Sequence, residues 1–162
     1  MNNYVNSANF DKRLGNLLKT KGDKNIIKGR FDTESIRLKQ KSDFLISFVT
    51  LYKEIFSITY KILFWEKDEI LKRFFDLSFP AKYYKIDKVY RNGKLPGSIF
   101  VDEQSIDKPF LKILLDNHFN YEMAEEPSLN MRIQICINIK DFIVLLDIYD
   151  DRGFDIYYLK NK

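Results

Sequence analysis

The stretch "MRIQICINIK", residues 131–140, alternates without a break. Ile133, Ile135, Ile137 and Ile139 fall on one side, and Arg132, Gln134, Cys136, Asn138 and Lys140 on the other. A two-residue period fits an extended chain, whose successive side chains point to opposite faces, and fits no helix. It predicts an antiparallel strand buried on one side only. Two more strand-like runs follow. "DFIVLLDIY" is more continuously apolar and suits a central strand covered on both faces, and "FDIYYL" completes the set. The connections, Ile139 to Phe142 and Tyr149 to Phe154, leave room only for tight reversals, so the three runs form a meander.

The rest of the chain supplies helices to cover such a sheet. Phe44, Leu45, Phe48, Val49, Tyr52, Ile55 and Phe56 make one broad apolar stripe, which predicts a helix from about Thr33 to Phe56. Asp32 is its expected N-cap, and Arg37, Lys41, Lys53 and Glu54 its solvated face. "SITYKILFWE" reads as a strand, "KDEILKRFFDLSF" as a short helix, and "AKYYKIDKVY" as a strand ending in the turn signal "RNG". After the strand "SIFVD", a helix should begin near Asp107, with Pro109 in its first turn and Phe110, Leu111, Leu114, Leu115 and Phe119 inward. Residues 1–9 are polar and expected to fray. Residues 10–20 carry Phe10, Leu14, Leu17 and Leu18 at helical spacing, and "KGDKNIIKGR" reads as a basic loop bounded by Gly22 and Gly29. No linker or repeat divides the chain. The expectation is a single domain over 1–162 of the α+β class, an antiparallel sheet ending in a three-stranded meander, with helices packed mainly on one face.

Several chemistries lack their residues. Cys136 is the sole cysteine and His118 the sole histidine of the 162 residues. An internal disulfide and a cysteine-built zinc site are therefore excluded, and a reducing cytoplasm is the natural setting. No apolar run approaches the roughly 18 residues of a membrane span, and the amino terminus lacks a secretory pattern. There is no phosphate-binding Gly-rich loop and no nucleophile elbow, so no cofactor is expected. Cys136 with His118 could form a nucleophilic pair, but Cys136 sits on a strand with no third member in view. Glu66, Asp68 and Glu69 fit the solvated first turn of a helix better than acid–base work.

Charge is unevenly spread. Residues 1–60 hold 11 Lys or Arg against 6 acids, whereas residues 121–155 hold 8 acids against Arg132, Lys140 and Arg152. Within the acidic third lies "DIYDDRGFDIYYL", residues 147–159. Asp150 can open a type I turn by accepting from an amide two residues on. Gly153 is expected at positive φ, and Arg152 can pair with Asp150, Asp151 or Asp155. Every residue of Asp150-Asp151-Arg152-Gly153 thus has a reason to be there as part of a turn.

The strand, the turn and the strand in "IVLLDIYDDRGFDIYYL" resemble the bacterial domain-of-unknown-function family 3885. Tyr149, Asp150, Asp151, Arg152 and Gly153 stand at its Tyr-Asp-Asp-Arg-Gly turn, and "LYKEIF" followed by "YKILFWE" is similar in order. The resemblance implies no activity. A small stand-alone domain of this kind is, by analogy, a candidate toxin-neutralising immunity protein.

Three functional expectations follow. The first is a non-enzymatic cytoplasmic domain that binds another protein through Asp150, Asp151, Arg152 and Asp155. The second is a nucleic-acid binder acting through the amino-terminal basic segment, with Lys24, Lys28 and Arg30 as phosphate contacts. The third is a metal-dependent hydrolase using Asp147, Asp150, Asp151 and Asp155 as oxygen ligands, although the spacing of a calcium loop is missing.

Overall fold

The computed structural model describes residues 26–160. The elements run β1 (Ile26–Asp32), α1 (Leu38–Val49), β2 (Ile55–Phe64), α2 (Asp68–Ser78), β3 (Lys85–Lys88), β4 (Gly97–Glu103), α3 (Lys108–Glu122), β5 (Met131–Ile139), β6 (Phe142–Ile148) and β7 (Gly153–Lys160). All seven strands belong to one sheet of order β1-β7-β6-β5-β2-β4-β3, and every neighbouring pair is antiparallel. The fold is α+β, with β5, β6 and β7 as the meander.

Each helix joins two strands that run in the same direction: β1 to β2, β2 to β3, and β4 to β5. The first two crossovers move one way along the sheet. The third moves the other way, but on strands of opposite direction. Right-handed crossovers therefore place all three helices on the same face. The core agrees. Leu45, Val49, Leu71, Phe75, Phe110, Leu114 and Leu115 pack in one cluster with Ile58, Ile62, Ile133, Ile135, Val144, Leu146, Phe154 and Ile156. Aromatic contacts stitch it at two places, Phe31–Phe48–Phe154 and Phe75–Phe79–Phe110. Among the described residues, no helix is long and apolar enough to cross a membrane.

Local chemistry sets most boundaries. Asp107 caps α3, its Oδ1 accepting from the Phe110 amide at 3.0 Å with Pro in the first turn. Lys82 donates to Asp107 and to Glu103, anchoring the entry of the β3–β4 hairpin, 81–101, to the start of α3. That hairpin closes through Asn92 (φ 44) and Gly93 (φ 73), the left-handed pair its "RNG" signal called for.

Four expectations are corrected. The apolar stripe of 44–56 is split: the helix ends at Val49, Glu54 turns the chain at φ 55, and Ile55 and Phe56 open β2. Pairing with Ile139 at the start of β2 outweighs two more positions of helical periodicity. Asp32 does not cap that helix; its Oδ1 accepts from the Glu34 amide at 2.8 Å, and Arg37 takes the N-cap position. The expected basic loop is strand β1 from Ile26 onward, because Gly29 pairs with Ile156 and Phe31 stacks on Phe154 at 5.3 Å. Finally, β5 is buried on both faces, for Gln134 and Cys136 are as sequestered as the isoleucines between them. The expected helix over 10–20 and the fraying of 1–9 lie outside the described residues.

Candidate functional site

The β6–β7 connection is a four-residue reversal fastened to the body of the protein. Asp150 Oδ1 accepts from the Arg152 amide at 2.9 Å, the local turn its sequence implies. Its Oδ2 accepts from Arg152 Nε at 2.9 Å and Nη2 at 2.6 Å. Burial pushes the Asp150 carboxyl up, but the Arg152 guanidinium and amide outweigh it and hold the group below the usual carboxylate range. The next carbonyls face inward. Thr33 Oγ1 donates to the Asp151 carbonyl at 2.8 Å, and the Thr33 amide donates to the Arg152 carbonyl at 2.8 Å. Lys41, from α1, donates to that same Asp151 carbonyl and lies 3.3 Å from its carboxylate.

Gly153 is not at positive φ, contrary to expectation. It is glycine for a different reason. It opens β7 opposite Asp32, and a Cβ there would stand 2.3 Å from the Phe31 carbonyl oxygen. Close approach of two backbones, not left-handed geometry, selects the residue.

The other acids of the segment face the far side of the sheet. Asp147, 2% exposed, accepts from Arg132 Nε at 2.8 Å and from Arg132 Nη2, with Gln134 Nε2 at 3.4 Å. Asp155 pairs across the edge with Lys28 at 3.5 Å and Arg30 at 3.7 Å. The Tyr149 ring lies between Arg30 and Arg132, 5.5 and 5.7 Å from its centroid. Each of the four carboxylates thus has a cation of the protein as its partner. No group of three or more metal-ligating side chains forms among the described residues. Lys28 and Arg30 have their charge offset by Asp155, and Lys24 lies outside the described residues.

Two residues stand behind the turn in roles other than those expected of them. Lys41 is buried, not solvated; it stands four residues before Leu45 on the inward stripe, and that spacing was the available signal. His118, four residues after Leu114 on α3, is fully buried. Its Nδ1 donates to the Met131 carbonyl at 2.7 Å, while Nε2 has no hydrogen-bond partner. Burial holds the imidazole below its ordinary value, against the upward pull of the Met131 carbonyl and of Asp150 and Asp151. His118 does not meet Cys136. The histidine belongs to the helical face, and Cys136 points with Thr59 and Leu145 to the opposite one. Glu66 and Asp68 serve the backbone, accepting from the amides of Asn130 and Tyr90.

The buried imidazole makes stability depend on pH. Unfolded, it takes up a proton near its ordinary 6.5; folded, it does so only at lower pH. In that window the unfolded chain holds the extra proton, so stability falls on acidification by up to about 1.4 kcal/mol per pH unit. Glu122 contributes the opposite slope, because burial and the nearby Asp151 and Asp150 raise its carboxyl. The contribution of the imidazole is therefore read as the difference between the wild type and His118→Gln in urea unfolding from pH 7 to 5. The wild type should lose more stability, and parallel curves would contradict a neutral buried histidine.

Glu122 and Glu34 lie close enough to the turn for their charges to act on Arg152. Tyr121 and Met123, on either side of Glu122, are exposed, as is the Arg152 guanidinium. The surface at this end of the sheet is therefore a fixed arginine among carboxylates, with the exposed Tyr121 and Met123 flanking Glu122 in the chain. No family model, no curated protein and no solved structure matches the chain.

Proposed function

We propose that the chain is a protein-binding domain of the cytoplasm, acting as a toxin-neutralising immunity protein, with Asp150, Asp151, Arg152 and Asp155 at or beside its contact surface. The observation that carries this reading is the fastening of the turn by Thr33 and Lys41, which presents Arg152 and its acids in one arrangement. A surface already ordered loses little conformational freedom when a partner docks. Arginine, tyrosine and methionine are the residues enriched in such interfaces, and the surrounding carboxylates suit a partner with a basic patch. The lone buried cysteine accords with a reducing compartment.

The test uses the purified chain and Arg152→Glu as immobilised baits in extract of the source cells. A discrete protein should be retained near stoichiometrically, survive nuclease treatment and bind the variant about 30-fold or more weaker, as for an interfacial arginine. Retention of nucleic acid alone, lost with salt, would overturn the proposal in favour of phosphate binding.

A further inference from the structure

An edge strand offers main-chain donors and acceptors to any strand that can lie beside it. Strand β3 is such an edge, and among the described residues no strand lies beyond it. Its register decides where its side chains go. Lys85 stands opposite Phe100, Ile86 opposite Ile99 and Lys88 opposite Ser98, so β3 holds one extra residue, Asp87, over β4. Phe100 and Ser98 are two apart and share a face. The bulge therefore brings Lys85 and Lys88, three apart in the chain, onto that same face, the one opposite the helices. Without the extra residue, Lys88 would fall on the side of Ile86. The cations continue past the strand, where Arg91 and Lys94 bracket the turn at Asn92 and Gly93. Residues 85–94 thus hold Lys85, Lys88, Arg91 and Lys94 against one acid, Asp87. All four cations are exposed, and none is in an ion pair among the described residues. Lys82, just before them, shows the alternative, its charge taken up by Glu103 and Asp107.

We infer that the outer edge of β3 is a docking site for an extended acidic segment of another protein, which adds to the sheet as a further strand. Lysine and a bulge on an edge are ordinarily a guard against indiscriminate pairing. Guarding does not account for Tyr83, Val89 and Leu95, which lie 84%, 51% and 59% exposed in the same hairpin. The lysines also choose the occupant. A second copy of β3 would set like charges against each other across the new ladder, so self-pairing is disfavoured. A strand with carboxylates at alternate positions repeats its charge on one face about every 6.8 Å, two residues of rise. Lys85 and Lys88 are two ladder positions apart, the same interval. Phosphates would meet the same cations but make no use of the free main chain, and that difference separates the two. The edge lies across the sheet from β7, so the inference stands apart from the role proposed for the Arg152 turn.

The test follows the amide NMR spectrum of the full-length chain as three probes are added: a peptide alternating Glu and Thr, the same peptide with every amide N-methylated, and oligo(dT). The first should shift the amides of 85–95 saturably and slow hydrogen exchange along β3. Lys85→Glu/Lys88→Glu should weaken that binding by about 10-fold or more. The N-methylated peptide, equal in charge but without main-chain donors, should also bind about 10-fold or more weaker. Lys39→Glu/Lys53→Glu makes the same change of net charge at exposed positions on and just beyond α1, and should bind the first peptide as the wild type does. If the first charge reversal fails to melt cooperatively, Lys85→Gln/Lys88→Gln is read in the same way. Absence of shifts at β3, or equal loss in the two charge reversals, would overturn the inference. So would equal binding of the N-methylated peptide or tighter binding of oligo(dT), which would assign the cations to charge alone or to phosphate.

Discussion

Arg132→Met should destabilise the protein by about 3 kcal/mol, because it leaves the Asp147 carboxylate buried without its cation. Asp147 is 2% exposed, in the middle of the sheet, and two guanidinium nitrogens serve both of its oxygens. Its remaining neighbours are poor substitutes. Gln134 Nε2 is at 3.4 Å, and the residue across the strand is another acid, Asp155. The Arg132 side chain is 35% exposed, so water can reach part of the vacated space, which keeps the expected loss at the low end for broken buried pairs. Adding Asp147→Asn removes the stranded charge and should recover more than half of the loss. Urea denaturation of the two single variants and the double variant gives the coupling directly. A loss under about 0.5 kcal/mol for Arg132→Met would mean that the carboxylate is adequately hydrated without the arginine.

The second large effect is at Gly153. Substitution by alanine should destabilise by about 2–3 kcal/mol, since the new Cβ would stand 2.3 Å from the Phe31 carbonyl oxygen. The obstacle is backbone and cannot rotate away. Relief requires Phe31 and Asp32 to move off β7, which would pull Thr33 from the carbonyls of Asp151 and Arg152. Loosening of the turn should therefore accompany the loss of stability, visible as faster hydrogen exchange of the Thr33 amide. Unchanged melting together with an unchanged Thr33 amide would show that the two backbones are not pressed together there.

Much of this architecture could be read from periodicity. The alternation of 131–139, the apolar run of 142–148 and the Asp107–Pro109 start of α3 each involve neighbours in sequence, so local spacing carried the information. The register of Asp150 with the Arg152 amide was legible for the same reason. What could not be read depends on distant partners. Strand β1 is short and diluted by Lys28, Gly29 and Arg30, and becomes a strand because it pairs with residues 153–159. The helix stripe of 44–56 breaks where β5 recruits Ile55. Gly153 is required by a carbonyl more than a hundred residues earlier in the chain, not by its own φ. Lys41, expected on the solvated face, is drawn inward by an acceptor far along the chain, the Asp151 carbonyl.

A fixed turn requires that the carboxylates of the last hairpin be committed to cations of the protein itself. Site-resolved NMR titration of the Asp150 carboxyl decides this most directly. Paired with Arg152, it should titrate below the ordinary carboxylate value of about 3.9 and return towards it in Arg152→Ala. A wild-type Asp150 titrating at or above that value, and indifferent to Arg152, would contradict the pairing from which the fixed turn and its proposed role were argued.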